Sequence, residues 1–490
     1  MVYLNPIYCI RNEKRSSFIY LTDNSFETIL KKLPSSIEIP PLYGYILSEF
    51  QKPCEKEDKI LEISNKIGLK TESIKIFVDQ LINNNKYLNF KVAGSDFMLP
   101  PNLLIKGEET EKLAIISNDT DIDPFYRFVP TRPSIPLGVT IMMTSKCKTD
   151  CIYCYADRSI KLDFSVNKLL DIIEDCHQSG VLSINLSGGD IFAYKHWKTV
   201  IEKMSEYQYT SFLSTKIPLS KEDIQFLCKC GIREIQFSLD STNPKDLKDL
   251  VRMGSSYIEN IRAMFEYCNI YNLKLNIRTV LTKYNAKVEI LKNLYNELCK
   301  YHVNSWTVVP AFLSYYKKDK EDYRATPDRL NECENFIAVI KKEYKFKVVF
   351  HSNKRPKNIH FETINDFLLY NKSCVTTSYN ISINIDGNVT VCEMLYNRTK
   401  FHLGNINYST IKELWNSDLI KDFFNFNLKT LSPNTDSPCY KCSDYSRCKI
   451  GNSKKVCLVD IVNCYGEDKW DYPDPHCPQA PEGNFDLLLI

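Results

Sequence analysis

The sequence predicts an α/β protein built from a small N-terminal α+β unit, a central partial (β/α)6 barrel of the TIM type, and a cysteine-rich C-terminal region. Strand-like and helix-like patterns alternate six times in the central part of the chain, which is typical of parallel strands joined by helices. Before it, two helical patterns joined by a glycine-containing turn precede a strand, as in a winged helix. After residue 370 the alternation stops, and eight cysteines lie between Cys374 and Cys477.

These patterns divide the chain into five regions. They are a winged-helix unit at 1–105, a linker at 106–134, the barrel at 135–320, a connecting region at 321–369 and the cysteine-rich region at 370–490. A polar run at 118–121 and three nearby prolines mark the linker.

Elements of the N-terminal unit are predicted from hydrophobic periodicity and turn residues. A β-hairpin is expected at 2–9 and 16–21, helices at 25–32, 42–50, 57–67 and 71–84, and a strand at 86–90. The last of these helices mixes Glu, Asn and Lys and has no basic face, so the unit does not look like a DNA-binding one.

The barrel is predicted from strands that alternate with amphipathic helices. The strands are expected at 138–143, 183–187, 209–214, 234–239, 274–281 and 305–309, and the helices at 166–179, 197–207, 221–230, 256–271 and 288–302. Functional side chains of such barrels lie at the carboxyl ends of the strands.

Composition excludes several classes of function. A formal charge of +3 over 490 residues is close to neutral, so no nucleic-acid partner is expected. No run approaches the roughly 20 apolar residues of a membrane span, and the N-terminus lacks the features of a signal peptide. We therefore expect a cytoplasmic protein without a membrane partner. In that reducing compartment, nineteen cysteines favour metal ligation or redox chemistry over disulfides.

The first candidate site is a loop that follows the apolar strand 138–143 and carries Cys147, Cys151 and Cys154. Three thiolates can hold three irons of a 4Fe–4S cluster and leave the fourth iron open to another ligand. A zinc site is disfavoured because zinc prefers four ligands and no nearby histidine completes the set.

The spacing Cys-x3-Cys-x2-Cys, with Tyr153 before the last cysteine, resembles the motif of the radical S-adenosylmethionine (radical SAM) superfamily. The resemblance covers residues 135–320 and implies a 4Fe–4S cluster that binds S-adenosylmethionine and cleaves it reductively to a 5′-deoxyadenosyl radical. Further residues resemble the family's cofactor-binding positions, namely Tyr153, Ser187, Gly188, Gly189, Asp190, Ser214, Ser238, Asp240 and Arg252.

These positions carry different implied roles. The run Ser187-Gly188-Gly189-Asp190 resembles the family's Gly-Gly-Glu motif, which meets the methionine amino group, although Asp replaces Glu. Ser214, Ser238 and Asp240 resemble the ribose- and carboxylate-contacting positions. Arg252 resembles an arginine that pairs with the cofactor carboxylate, a geometry that suits a guanidinium; a plain surface arginine is the alternative.

The C-terminal cysteines resemble the SPASM extension, which holds two auxiliary 4Fe–4S clusters. The resemblance implies a first cluster on Cys374, Cys392 and Cys457 and a second on Cys439, Cys442, Cys448 and Cys477. Asn452 stands where the family has a cysteine, so the first cluster lacks an obvious fourth ligand. Cys464, Cys333 or a substrate thiolate are the alternatives. Glu393, directly after Cys392, is a candidate general base, with a solvated carboxylate as the alternative.

The combined resemblance is to maturases of ribosomally synthesised peptides, whose N-terminal winged-helix domain binds a leader peptide as an added strand at the hairpin edge. It implies an enzyme that installs a thioether or carbon–carbon crosslink in a precursor peptide. An electron donor such as flavodoxin or ferredoxin is the expected partner. The alternatives are a sulfatase-maturing, formylglycine-forming radical enzyme and, from another class, an iron–sulfur winged-helix transcription regulator.

Overall fold

The structure is a computed structural model, and the described residues fall into short and long stretches along the chain. They are 1–21, 36–92, 95–108, 113–119, 123–129, 131–156, 162–209, 211–312, 322–343, 345–351, 360–371, 374, 377–427, 431, 434–450 and 454–482. The predicted helix at 25–32 and Asn452 lie outside them.

The N-terminal unit is built on a β-hairpin whose two edges are both paired. The hairpin strands are β2 (Tyr8–Asn12) and β3 (Ser17–Leu21); β4 (Ser36–Ile39) pairs with β3, and β8 (Ile116–Asn118) pairs with β2. The predicted first strand at 2–9 is wrong in extent. The short strand β1 (Val2–Leu4) precedes a turn at Asn5-Pro6 and pairs instead with β7 (Leu104–Lys106).

Three helices and a second hairpin make up the rest of the described part of this unit. The helices are α1 (Pro41–Ser48), α2 (Lys56–Ile67) and α3 (Thr71–Leu81), and the hairpin is β5 (Leu88–Val92) with β6 (Ser95–Leu99). Gly68 ends α2 with φ of 72°, which a glycine adopts without steric cost. The helix–turn–helix–strand order predicted from the sequence is therefore present.

The N-terminal sheet packs directly on the next part of the chain. Cys9, Phe18 and Tyr20 form one buried cluster with Leu137, Leu182 and Tyr379. Beside it, the Glu13 carboxylate accepts from Ser134 N at 2.9 Å and from Ser134 Oγ at 2.8 Å. The unit and the barrel thus share a core.

Parallel strands make up the central region, as predicted. They are β9 (Gly138–Thr144), β10 (Ser183–Gly188), β11 (Ser214–Thr215), β12 (Glu234–Ser238), β13 (Lys274–Leu281), β14 (Val303–Pro310) and β15 (Lys347–Phe350). β9 and β10 pair in one sheet, and β11 to β15 pair in order in another. The predicted strand at 209–214 is wrong in extent, since β11 has only two residues. β15 was not predicted, and it extends the parallel sheet beyond the predicted barrel end at 320.

Helices cover these strands on one side. They are α4 (Val166–Ser179), α5 (Trp197–Glu206), α6 (Lys221–Lys229), α7 (Pro244–Val251), α8 (Tyr257–Ile270), α9 (Val288–Leu298) and α10 (Pro327–Ile340). Their ends follow simple local rules: Ser220 and Asp223 form a capping box on α6, and Gly180 ends α4 in the left-handed conformation. The unpredicted α7 begins with Asn243 as its cap and a proline at its first position.

The C-terminal region continues the sheet of β9. Strand β16 (Asn380–Ile383) pairs in parallel with β9, β17 (Asn388–Thr390) pairs with β16, and β18 (His402–Asn405) pairs with β17. The turn at Asp386-Gly387 is the predicted one, with Gly387 at φ of 84°. The helices here are α11 (Ile364–Tyr370), α12 (Ile411–Trp415), α13 (Asp418–Asn425), α14 (Tyr445–Lys449) and α15 (Leu458–Tyr465). None of the described helices has the length and apolarity to cross a bilayer.

Candidate metal centres

The three-cysteine loop leaves the carboxyl end of β9, where the barrel rule places functional residues. Thr149 Oγ1 lies 3.2 Å from Cys147 Sγ and 3.4 Å from Cys151 Sγ, so one hydroxyl spans two of the thiols. Cys154 N donates to Cys151 O at 3.2 Å. Burial raises the pKa of Cys151, and the nearby Lys216 acts against that rise.

Two glycines allow the chain after β10 to touch the base of this loop. Gly189 N donates to Thr144 O at 2.6 Å, and Asp190 N donates to Lys146 O at 2.9 Å. A Cβ on Gly188 would stand 2.2 Å from Thr144 O, and one on Gly189 would stand 2.1 Å from Lys146 O. Both glycines are therefore needed for the approach of two backbone segments, and Gly188 also has φ of 140°.

The carboxylate of Asp190 is turned into the protein. It is 4% exposed and accepts from Thr215 Oγ1 at 2.8 Å, Lys216 N at 2.9 Å and Phe192 N at 3.1 Å. Burial raises its pKa despite these bonds. Asp190 ties the ends of β10 and β11 together, and its contact with a cofactor stays a prediction.

A buried polar triad stands next to the loop. Asp240 is fully buried; its carboxylate accepts from Tyr153 Oη, from Lys216 Nζ at 2.7 Å and from Val280 N at 2.9 Å. Burial alone would lower the pKa of Lys216, but Asp240 and Cys151 raise it. Burial and Asp240 raise the pKa of Tyr153. The predicted Tyr153 and Asp240 are thus brought together by a lysine that the sequence reasoning missed.

The two predicted serines lie on neighbouring strands and share a hydrogen-bond partner. Gln236 Nε2 donates to Ser214 Oγ at 2.8 Å and to Ser238 Oγ at 3.3 Å. Ser238 stands opposite Arg278 in the register of β12 and β13. The side chains of Ser214, Gln236 and Ser238 therefore lie on the same side of the sheet.

The two arginines near the loop differ in setting. Arg252 follows α7 at φ of 60°, and its side chain is exposed. The residues just before it, Leu250 and Val251, accept main-chain hydrogen bonds from the cysteine loop, so Arg252 lies beside that loop; its pairing with the cofactor carboxylate stays a prediction.

Arg278 was not predicted as a site residue. Solvent reaches its side chain, yet enough protein surrounds it that burial lowers its pKa, with Tyr153 and Tyr155 close enough to oppose that change. A charged residue in the middle of the predicted strand 274–281 is the signal that could have found it. Lys216, a charge directly after a barrel strand, is the equivalent signal.

Glu393 comes from the C-terminal region but meets the barrel. Its carboxylate accepts from Ser187 Oγ at 2.7 Å, and both residues act on the pKa of Tyr155, which burial raises. Glu393 is neither buried nor fully exposed. The structure therefore brings the predicted base to the predicted cofactor motif, and its catalytic role remains a prediction.

The four cysteines predicted for the second auxiliary cluster line one cavity. Cys439, Cys442, Cys448 and Cys477 surround about 320 Å³ of empty space, together with Tyr445, Lys449 and Asp474. Burial raises the pKa of Cys477 to about 11. A buried thiol becomes a ligand when a metal removes its proton. Four sulfurs on one cavity are a donor set that fits an iron–sulfur cluster.

The cysteines predicted for the first auxiliary cluster are neighbours as well. Cys374 lines a second cavity of about 240 Å³, and it acts on the pKa values of Cys392 and Cys457, which burial raises. Burial lowers the pKa of Lys454, on the same cavity, to about 7. Three neighbouring thiols beside a buried cation are a set of groups that fits a negatively charged iron–sulfur cluster.

Two further cysteines are the predicted alternatives for the fourth ligand of the first auxiliary cluster. Cys333 is fully buried on α10, and after burial the group that acts on its pKa is Glu332; it packs in the barrel core. Cys464 is buried near the end of α15, next to Tyr465. Among the described residues, no group of three His, Cys, Asp or Glu side chains could hold a single metal ion.

Comparison with known proteins identifies both regions. Residues 141–294 match the model of the Radical SAM superfamily, and residues 374–443 match SPASM, an iron–sulfur cluster-binding domain. Among curated proteins, GTP 3′,8-cyclase of Desulforamulus reducens is 27% identical over 149 residues, which is 29% of this chain and 46% of the relative. PqqA peptide cyclase of Granulibacter bethesdensis is 23% identical over 132 residues, 26% of this chain and 35% of the relative. The chain spans about half the length, or less, of these relatives.

Solved structures match over a longer range. Streptococcus suis SuiB bound to its precursor peptide SuiA has a TM-score of 0.61 at 16% identity, covering 96% of this chain and 98% of that one. SuiB bound to S-adenosylmethionine has a TM-score of 0.60 at 15% identity, covering 97% and 99%. The fold is shared. Residues 141–294 therefore form a radical SAM domain and residues 374–443 a SPASM domain, and these domains imply 4Fe–4S clusters and S-adenosylmethionine binding.

Proposed function

We propose that this enzyme is a peptide maturase that installs a thioether or carbon–carbon crosslink in a ribosomally synthesised precursor peptide. The observation that carries the proposal is the fold shared over nearly the whole chain, N-terminal unit included, with a protein whose structure holds its precursor peptide. The match to GTP 3′,8-cyclase covers only 29% of the chain, so it supports the common radical domain and not the same substrate.

In this proposal Cys147, Cys151 and Cys154 hold the cluster that, once loaded, supplies the electron for cleavage of S-adenosylmethionine. Lys216 and Asp240 neutralise each other beside those cysteines and fix the ring of Tyr153. Ser214, Ser238 and Arg278 line the neighbouring strands with hydrogen-bond donors for the bound cofactor and substrate. A closed, polar site of this kind orients the reacting groups and excludes water.

Glu393 takes the role of general base during oxidation of the substrate radical. Its position between Ser187 and the auxiliary ligand Cys392 supports this role, because the proton and the electron would then leave the substrate at the same side of the site. Cys439, Cys442, Cys448 and Cys477 on one cavity hold one auxiliary cluster, and the neighbouring Cys374, Cys392 and Cys457 hold the other. A flavodoxin- or ferredoxin-like protein supplies the low-potential electron.

The N-terminal unit, a winged helix in this proposal, recognises the leader segment of the precursor. Both edges of the β2–β3 hairpin are covered, by β8 and β4, so the expectation of a strand added to the hairpin itself is wrong. Within the described sheet, β4 and β8 are the edge strands. A leader that adds a strand pairs with one of them.

The test is anaerobic incubation of the reduced holoenzyme with S-adenosylmethionine and a short precursor peptide encoded beside its gene. Mass spectrometry is expected to find 5′-deoxyadenosine and a peptide lighter by two hydrogens per bond formed. Alanine at Cys147, Cys151 and Cys154 together is expected to abolish both products.

A parallel incubation replaces the peptide by GTP. Turnover of GTP with no change in any peptide contradicts the proposal, and so does a modified peptide from the triple alanine variant. Isothermal titration of the enzyme with the precursor, with the leader alone and with the leaderless precursor gives an independent readout. Removing the leader is expected to weaken binding of the precursor at least tenfold.

A further inference from the structure

Each of the two cavities beside the C-terminal cysteines has one buried lysine in its wall. Lys449 is fully buried and Lys454 is 3% exposed; the first lines the cavity of Cys439, Cys442, Cys448 and Cys477, and the second lines the cavity of Cys374. Lysine is almost never fully buried unless its charge is compensated. Two such lysines at two such cavities are a repeated arrangement that calls for a common cause.

The ammonium of Lys449 is held in one orientation. It donates to Asp471 O at 2.6 Å and to Tyr472 O at 2.9 Å, which uses two of its three N–H groups. Cys439 lines the same cavity as Lys449, and the ammonium lowers the pKa of that thiol against the effect of burial. No carboxylate lies within ion-pair distance of Lys449 in the part of the chain that the structure describes.

Lys454 has a comparable position at the other cavity. Its Nζ donates to Ser378 Oγ at 2.9 Å, and its carbonyl accepts from Cys374 N at 2.7 Å. The nearby Cys374 thiol raises the pKa of Lys454 against the effect of burial. A second buried cation, Arg132, is close enough to act on Lys454 and stacks on Trp415 at 3.5 Å. Positive charge is thus concentrated beside Cys374.

Burying an ammonium costs several kcal/mol unless an opposite charge compensates it. A 4Fe–4S cluster on cysteine thiolates carries negative charge, and one-electron reduction makes that charge larger. A fixed cation therefore stabilises the reduced form more than the oxidised form. Net charge and hydrogen bonds to the sulfurs are the known determinants of cluster potential.

We propose that Lys449 and Lys454 are the counter-charges of the two auxiliary clusters and raise the reduction potential of each. This inference rests on the proposed assignment of the two cavities to those clusters. It makes each lysine a positioning residue of electron transfer, since neither has to touch the substrate.

The experiment uses the full-length protein with its clusters reconstituted anaerobically. Lys449→Met and Lys454→Met remove one charge each at nearly constant volume, and Lys441→Met is the matched control, because Lys441 lies between Cys439 and Cys442 with an exposed side chain. Iron and sulfide per chain are measured first. Redox titration followed by electron paramagnetic resonance then gives the midpoint potential of each cluster.

Each buried-lysine variant is expected to keep its iron and to disfavour reduction of one cluster at least tenfold, a shift of about 59 mV to more negative potential for one electron. Lys441→Met is expected to leave both potentials in place, because water screens its charge. Unchanged potentials in both buried variants, at full iron content, overturn the proposal.

Two other outcomes are decided by further variants. If the Met variants lose iron, Lys449→Gln and Lys454→Gln keep a hydrogen-bonding group without the charge; loss of iron there too assigns the lysines to folding and overturns the role in tuning. If the wild-type protein binds the iron of a single cluster, the cluster assignment of the cavities fails, and that result is distinct from a failure of the lysine role.

Discussion

At the residue scale, the contact between the chain after β10 and the cysteine loop depends on the absence of two side chains. Gly189→Ala places a methyl group 2.1 Å from Lys146 O, so the loop base has to move. Overpacking of this kind costs about 1–3 kcal/mol. The variant is expected to bind less iron at the three-cysteine loop and to form at least tenfold less 5′-deoxyadenosine, measured by iron assay and chromatography.

Gly254→Ala is the control for that substitution, because a Cβ on Gly254 meets nothing within 4 Å. It lies two residues after Arg252, in the segment that follows the contacts to the same loop. Equal loss of iron in both variants would contradict the steric explanation.

The Glu393 carboxylate provides a second residue-scale prediction. Glu393→Gln keeps the hydrogen bond from Ser187 but removes the base. Cleavage of S-adenosylmethionine is expected to continue, while crosslinked peptide falls by about 10²–10⁴-fold, the usual contribution of general base catalysis. Ser187→Ala, which frees the carboxylate without removing it, is the companion variant. Normal crosslinking by Glu393→Gln at every pH tested would exclude the role.

Local spacing explains which site residues could be predicted from the sequence. The cysteines and the glycine pair are recognised within short segments, and the strand rhythm placed both at the same end of the barrel. Lys216 and Asp240 are 24 residues apart, and their ion pair at 2.7 Å exists only after β11 and β12 are paired. The match between Glu393 and Ser187 spans 206 residues, so no local pattern could reveal it.

At the element scale, the short helix α12 fastens the segment before β9. Trp415 is fully buried; its indole N–H donates to Pro133 O at 2.7 Å, and the Arg132 guanidinium lies 3.5 Å from its ring. Trp415→Ala is expected to lower the free energy of unfolding by about 3–5 kcal/mol, measured by urea denaturation. Tyr408→Ala, at a side chain 88% exposed, is expected to stay within about 0.5 kcal/mol of wild type.

Strand lengths show where sequence reasoning reaches its limit for elements. Long strands such as β13 were predicted at their observed bounds, because eight alternating residues carry a clear pattern. β11 has two residues, and Tyr209, predicted to begin it, instead donates its hydroxyl to Val181 O at 2.7 Å. β15 lies beyond the predicted end of the barrel and is four residues long. Its hydrophobic pattern is too short to be distinguished from that of a loop.

At the scale of the whole molecule, a small buried cluster joins the N-terminal unit to the central and C-terminal regions. The rings of Phe18 and Tyr379 meet edge to face at 6.1 Å. A double-mutant cycle with Phe18→Ala and Tyr379→Ala is expected to give a coupling energy of about 0.5–1.5 kcal/mol. A control cycle pairs Phe18→Ala with Phe265→Ala, deep in the barrel, and is expected to be additive within about 0.5 kcal/mol. Additivity in the first cycle would contradict an energetic contribution of this ring contact.

The five-stranded sheet that runs from β10 through β9 and β16 to β18 crosses from the radical SAM domain into the SPASM domain. A hinge motion that separates the two domains would break the hydrogen bonds between β9 and β16, whose residues Ile141 and Ile383 are fully buried. A substrate therefore has to reach the cysteine loop without separation of the two domains along this sheet.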